Sequence, residues 1–184
     1  RHLKQEEKSI YLSTDGKRLG VGVLNSTGRS IAHVFELGPK PKLLFESDKS
    51  TDHGHRMFLS PSGRRILLGS NGHVLDVDTN KKLATLSRAF ITHAFFVDED
   101  TVVATHRGVD YPPYGEGSIT VWDVATNKDK GSFKVPDRRF ASAWPAHNGR
   151  EVWLSRFGDG IKIECWDLAT KSLKRTITPE VANP

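Results

Sequence analysis

The sequence predicts an all-β chain made of four repeats of a four-stranded antiparallel unit. Two observations carry that expectation. A tetrad of apolar, large apolar, acidic and aliphatic residues recurs four times, as Val34-Phe35-Glu36-Leu37, Val74-Leu75-Asp76-Val77, Val121-Trp122-Asp123-Val124 and Cys165-Trp166-Asp167-Leu168. No window sustains the i, i+3, i+4, i+7 apolar spacing of a helix over three turns. The acids at 36, 76, 123 and 167 are 40, 47 and 44 residues apart, a period typical of stacked supersecondary units.

Each repeat divides in the same way. A polar turn comes first (Thr14-Asp15-Gly16, Ser60-Pro61-Ser62-Gly63, Asp98-Glu99-Asp100, His147-Asn148-Gly149), and runs of β-formers lie on either side. The first repeat then runs from a strand at 9–13 to one at 43–46, and the second from 56–60 to 82–86. The third gives strands at 91–97, 101–106, 118–124 and 129–135, and the fourth at 140–145, 151–156, 162–168 and 172–178. The four units therefore occupy about 9–46, 56–86, 91–135 and 140–178, within one domain spanning residues 1–184. In three of them a Thr follows the acid by three residues, at Thr79, Thr126 and Thr170. The aspartates at 76, 123 and 167 recur with the units and therefore read as structural, not as an acid–base couple.

Charge and composition narrow the function classes. The 184 residues carry a net charge of +5 and a single cysteine, Cys165. One cysteine excludes an intramolecular disulfide framework and a cysteine-built zinc site, and it fits a reducing, cytoplasmic compartment. No stretch approaches the ~20 apolar residues of a membrane-spanning helix. The basic pairs Arg64-Arg65 and Lys81-Lys82 and the 171–175 run fall on different faces, which argues against a nucleic-acid stripe. The sequence starts at Arg1, and its only methionine is Met57. That start suggests a fragment or a processed product, and a removed signal peptide is compatible with it.

Period, strand count and the acid-ending third strand together resemble the blades of WD-repeat β-propellers. The resemblance rests on Trp122-Asp123 and Trp166-Asp167, on the turn at 60–63, and on the Thr126-Asn127 and Thr170-Lys171 turns. It extends over essentially the whole chain. The segment Ile119-Thr120-Val121-Trp122-Asp123-Val124-Ala125-Thr126-Asn127-Lys128 is also similar to YVTN-type propellers. The resemblance implies that each Trp packs between adjacent blades and that the Asp after it holds the turn into the outer strand. It further implies that four blades belong to a ring of seven or eight. The remaining blades would come from missing chain or from a second copy.

Propellers carry function on loops, and loops between second and third strands share one end of the disc with those between blades. At that end the longest loop is 107–117, with Tyr111 and Tyr114 on either side of Pro112-Pro113 and Arg107 at its start. Tyrosines braced by proline give contact area at low entropic cost. Arg138, Arg139 and Arg156 fall on neighbouring loops, and guanidinium groups suit carboxylates. The expectation is a protein- or peptide-binding surface for an acidic partner, formed by Arg107, Tyr111, Tyr114, Arg138, Arg139 and Arg156. The same residues would also serve simply to stiffen a loop and keep the surface soluble.

Other candidates are weaker. His53 and His55, near Asp48 and Asp52, lack the three or four convergent ligands of a metal site. His93 and His106 read as braces at strand ends, with a haem-ligand role for His106 suggested only by the YVTN likeness. Cys165 reads as a buried small hydrophobe, not a nucleophile. No phosphate-cradling loop, nucleophile elbow or metalloprotease pattern is present. The expectation is a non-enzymatic scaffold or sensor module without cofactor. The alternative is part of a YVTN- or quinoprotein-like enzyme propeller with a cofactor near the ring axis.

Overall fold

A computed structural model of the chain describes residues 8–24, 30–47, 57–69, 72–86, 91–106, 117–135, 140–146, 149–158 and 160–179. Among them sixteen strands form four antiparallel sheets of four, each a simple meander in chain order. Sheet 1 contains β1 Lys8–Leu12, β2 Arg18–Leu24, β3 Ser30–Glu36 and β4 Lys42–Glu46. Sheet 2 contains β5 Met57–Leu59, β6 Arg65–Leu68, β7 His73–Asp76 and β8 Lys82–Thr85. Sheet 3 contains β9 Ile91–Phe96, β10 Thr101–His106, β11 Gly117–Asp123 and β12 Lys128–Val135. Sheet 4 contains β13 Phe140–Pro145, β14 Glu151–Gly158, β15 Gly160–Asp167 and β16 Ser172–Ile177.

The recurring turn into the fourth strand has one chemical cause. Asp76, Asp123 and Asp167 each accept, through Oδ1, the backbone N–H of the Thr three residues on, at 2.8, 2.9 and 2.8 Å. The next residue then takes the left-handed conformation: Asn80 at φ 56°, Asn127 at 53° and Lys171 at 57°. In the first sheet Glu36 stands in the acid's place and no Thr follows, so this bond is not formed there. Even so, all four sheets shift register at the same point of the tetrad, between Val34/Phe35, Val74/Leu75, Val121/Trp122 and Cys165/Trp166. The bulge is thus part of the repeat, and it increases local twist.

The sheets stack in chain order along their first strands. β5 packs beside β1 and β2 on one side and β9 on the other, and β13 packs beside β9. A separate apolar core fills each junction. Val34, Phe45, Met57, Ile66 and Val77 lie between sheets 1 and 2. Phe58, Leu67, Val74, Val102 and Trp122 lie between sheets 2 and 3, and Val103, Ile119, Val152, Leu154 and Trp166 between sheets 3 and 4. The strand alternation explains the pattern, since successive side chains serve opposite faces. The tetrad's first residue looks toward the following sheet, and its second (Leu75, Trp122, Trp166) toward the preceding one. This succession of sheets is compatible with propeller blades.

The first junction is closed by an exchange of bulk. A Cβ on Gly20 would meet Met57 Cε at 2.3 Å, and one on Gly22 would meet Met57 Cγ at 3.3 Å. Two glycines on β2 therefore make the slot that the long, unbranched side chain of Met57 fills.

Candidate functional site

Of the six residues expected to form a binding surface, Arg107, Tyr111, Tyr114, Arg138 and Arg139 lie outside the described residues. Arg156 does not sit on a loop as expected. Its backbone belongs to β14, paired with Phe140 of β13 and Lys162 of β15. Phe157 pairs with Ile161 and Gly158 with Gly160, so the strand pairing runs on past Arg156.

The described strand ends show how these segments are anchored. Gly117, which follows 107–116, pairs with Val135, which precedes 136–139. Phe140, which follows Arg139, pairs with Arg156. The same end of sheets 3 and 4 thus holds the described residues that flank both segments, together with the backbone of Arg156.

At the opposite end, arginines lock the turns of neighbouring sheets. The guanidinium of Arg18 donates to Asp78 Oδ1 at 2.9 Å and to the Gly63 carbonyl at 3.3 Å. Arg65, at the equivalent position of sheet 2, donates to the Glu99 carbonyl and to Asp100 Oδ1 in sheet 3. The Glu99 carboxylate in turn accepts from Ser60 Oγ at 2.9 Å and from the Ser62 N–H at 2.7 Å. Asn127 Oδ1 accepts the Thr85 N–H at 3.0 Å, a further link between sheets 2 and 3. Sequence reading missed these arginines. The available signal was their shared place, each opening the second strand directly after the first turn.

The titrating groups follow from these bonds. The N–H of Thr126, helped by the Lys130 ammonium at 2.9 Å, draws the Asp123 carboxyl down to about 2. At Asp167 the Thr170 N–H and hydroxyl lower it in the same way. At Asp76 burial works upward, but the Thr79 hydroxyl and N–H outweigh it, and the net direction is down. These groups are anionic turn braces at neutral pH, not proton donors.

Cys165 is buried, as expected of a small hydrophobe, and burial pushes its thiol up, with the Glu151 carboxylate adding to the effect. That is the reverse of nucleophile activation. His93 pairs with Thr105 and His106 with Ile91, so the two imidazoles project to opposite faces of sheet 3 and do not converge. His53 and His55 lie outside the described residues. Among the described residues, no group of three or more His, Cys, Asp or Glu is placed to hold a metal ion. Nor is any helix long and apolar enough to cross a membrane.

One buried acid was not anticipated. Glu164 is 4% exposed, and its Oε2 accepts the indole N–H of Trp166 at 3.0 Å. Neither a scan against protein-family models nor a search of curated proteins finds a match.

Proposed function

We propose that the chain is a run of four WD-repeat-like β-propeller blades, part of a larger ring, acting as a non-enzymatic scaffold that binds a protein or peptide. The binding surface is the loop end carrying Arg107, Tyr111, Tyr114, Arg138 and Arg139, with Arg156 at its edge. One observation carries this reading. The pairing of Gly117 with Val135 and of Phe140 with Arg156 supports it, because the described residues that flank 107–116 and 136–139 meet there. Tyrosine and arginine gathered on a rigid base favour an acidic partner. Each repeating aspartate is already engaged by its own turn, which also favours a structural role for those acids.

The test is fluorescence anisotropy with a labelled peptide rich in Asp and Glu. Binding is expected for the wild type and lost in Tyr111→Ala/Tyr114→Ala and in Arg138→Ala/Arg139→Ala, with the melting temperature nearly unchanged. Undiminished binding by the tyrosine pair would remove the loop from the proposal, and a wild type that ignores the peptide would remove the acidic partner.

A further inference from the structure

The three junctions of the stack are not tied alike. Sheets 1 and 2 are joined by Arg18, which donates to Asp78 Oδ1 and the Gly63 carbonyl, and by the Thr14 N–H, which donates to the Pro61 carbonyl at 2.7 Å. Sheets 2 and 3 are joined by Arg65 through the Glu99 carbonyl and Asp100 Oδ1. Ser60 Oγ adds a bond to the Glu99 carboxylate, and the Thr85 N–H adds one to Asn127 Oδ1.

At the junction of sheets 3 and 4 the equivalent positions carry different chemistry. Thr101 stands opposite Asp123 as Arg18 stands opposite Glu36 and Arg65 opposite Asp76. Its short hydroxyl side chain lacks the reach and the charge of a guanidinium. Val97 stands where Ser60 does, because each donates its N–H across the first turn, to the carbonyls of Thr101 and Arg65. Val97 brings methyl groups in place of the hydroxyl, and a Cβ on Gly149 of sheet 4 would meet its Cγ1 at 3.0 Å.

Lys171 stands in the place of Asn127, and both are left-handed in the turn into a fourth strand. Thr85 follows Ala84, the partner of Val74, and Ser132 follows Gly131, the partner of Val121. The Ser132 N–H is thus the counterpart of the Thr85 N–H. Lys171 extends along the same stretch, where a Cβ on Gly131 would meet its Cε at 3.0 Å. An ammonium only donates, so it cannot accept an N–H as Asn127 does.

Three positions that supply polar ties between sheets 2 and 3 supply none of that kind to sheet 4. The core there is apolar: Val103, Ile119, Val152, Leu154 and Trp166 fill it, and Phe133 lies against Trp166 with centroids 5.9 Å apart. In a stack whose units touch only their neighbours, stability sums unit and interface contributions, so the least tied interface sets where the stack parts. A unit that loses its neighbour cannot bury its apolar face alone.

We propose that sheet 4 is a detachable element: it parts from sheet 3 and unfolds as one cooperative unit while sheets 1 to 3 stay joined. Its release uncovers the forward face of sheet 3, which carries Val103, Ile119 and Phe133. The junction lies inside the chain, and its ties depend neither on what covers the outer faces nor on the loop reading.

Native-state hydrogen exchange read by mass spectrometry tests this, with sheet 1 as the control because it too has one neighbour in the chain. The middle strands β14 and β15 are expected to be about tenfold less protected than β2 and β3, and to share one opening rate. Lys171→Asn supplies an acceptor for the Ser132 N–H and should raise protection of β14 and β15 about twofold to tenfold, with β2 and β3 unchanged. Lys171→Gly relieves the same left-handed backbone without supplying an acceptor, and should not raise it. Asn127→Lys carries the residue of sheet 4 into sheet 3 and should lower protection of β10 and β11 about twofold to tenfold. Protection of β14 and β15 equal to or above that of β2 and β3 would overturn the proposal, as would separate opening rates within sheet 4. So would Lys171→Gly acting as strongly as Lys171→Asn, or Asn127→Lys leaving β10 and β11 unaffected.

Discussion

Trp166 donates its indole N–H to Glu164 two residues earlier on the same strand, at 3.0 Å, inside the core between sheets 3 and 4. Trp122 holds the same place in sheet 3, with Thr120 where Glu164 would be, and its Nε1 is buried without an acceptor among the described residues. The two tryptophans fill equivalent junctions in opposite polar states. Losing a formed, buried hydrogen bond costs more than losing an N–H that had no partner. Trp166→Phe is therefore expected to destabilise the fold by about 1–2 kcal/mol more than Trp122→Phe. Urea unfolding of both variants measures the difference, and equal losses would mean the Glu164 bond contributes nothing net.

The aspartate turns set an acid limit on stability. The carboxyls of Asp76, Asp123 and Asp167 titrate lower in the folded chain than their ordinary value, Asp123 at about 2. Their stabilisation is complete above the unfolded value near 4 and fades as pH falls through the folded one. The urea midpoint should therefore fall as pH drops from about 4 toward 2. Asp123→Ala should flatten part of that fall and lower the midpoint at neutral pH, where the carboxylate is charged. A midpoint independent of pH across this window would show that the braces do not couple to folding.

Met57 and Gly20 are a matched pair. Met57→Ala should cost about 2–5 kcal/mol by opening a cavity. Gly20→Ala should cost roughly 1–3 kcal/mol, because its Cβ enters the space of the Met57 methyl. The double variant should be less destabilised than the sum of the two, since the added methyl then partly fills what was removed. Strict additivity in a thermal-denaturation cycle would contradict the packing described.

Lys171 sits at φ 57°, where the equivalent residues of the two preceding sheets are Asn80 and Asn127. Asparagine tolerates this conformation better than lysine does. Lys171→Asn is expected to stabilise the fold by roughly 0.5–1 kcal/mol without altering partner binding. A lowered melting temperature would mean that the lysine makes contacts outweighing its backbone strain.

Much of this architecture was legible in the sequence because its cause is local. An Asp with a Thr three residues on, glycine in the first turn and alternation between them are short-range signals, and they mark out the strands. Arg156 was misplaced for a local reason too: Gly158 and Gly160 read as a loop, while the Phe157–Ile161 pairing that extends the hairpin depends on register. The cross-sheet contacts were not legible. Arg18 finds Asp78, and Arg65 finds Asp100, only after separate sheets have stacked. Glu164 lies between Ile163 and Cys165 on a strand, where an acid reads as solvent-facing. Its burial follows from sharing a face with Trp166. The tyrosines and three of the arginines of the expected binding surface lie outside the described residues, so for them the sequence remains the source.

Met57 and Cys165 hold the only two sulfur atoms in the chain, and both are buried, one in the first junction and the other in the last sheet. Oxidation of the thioether would force a polar oxygen into the slot between Gly20 and Gly22, while alkylation of the thiol requires sheet 4 to open. Mass spectrometry after a pulse of peroxide or iodoacetamide would therefore time the loosening of each end of the stack separately, without a label being introduced.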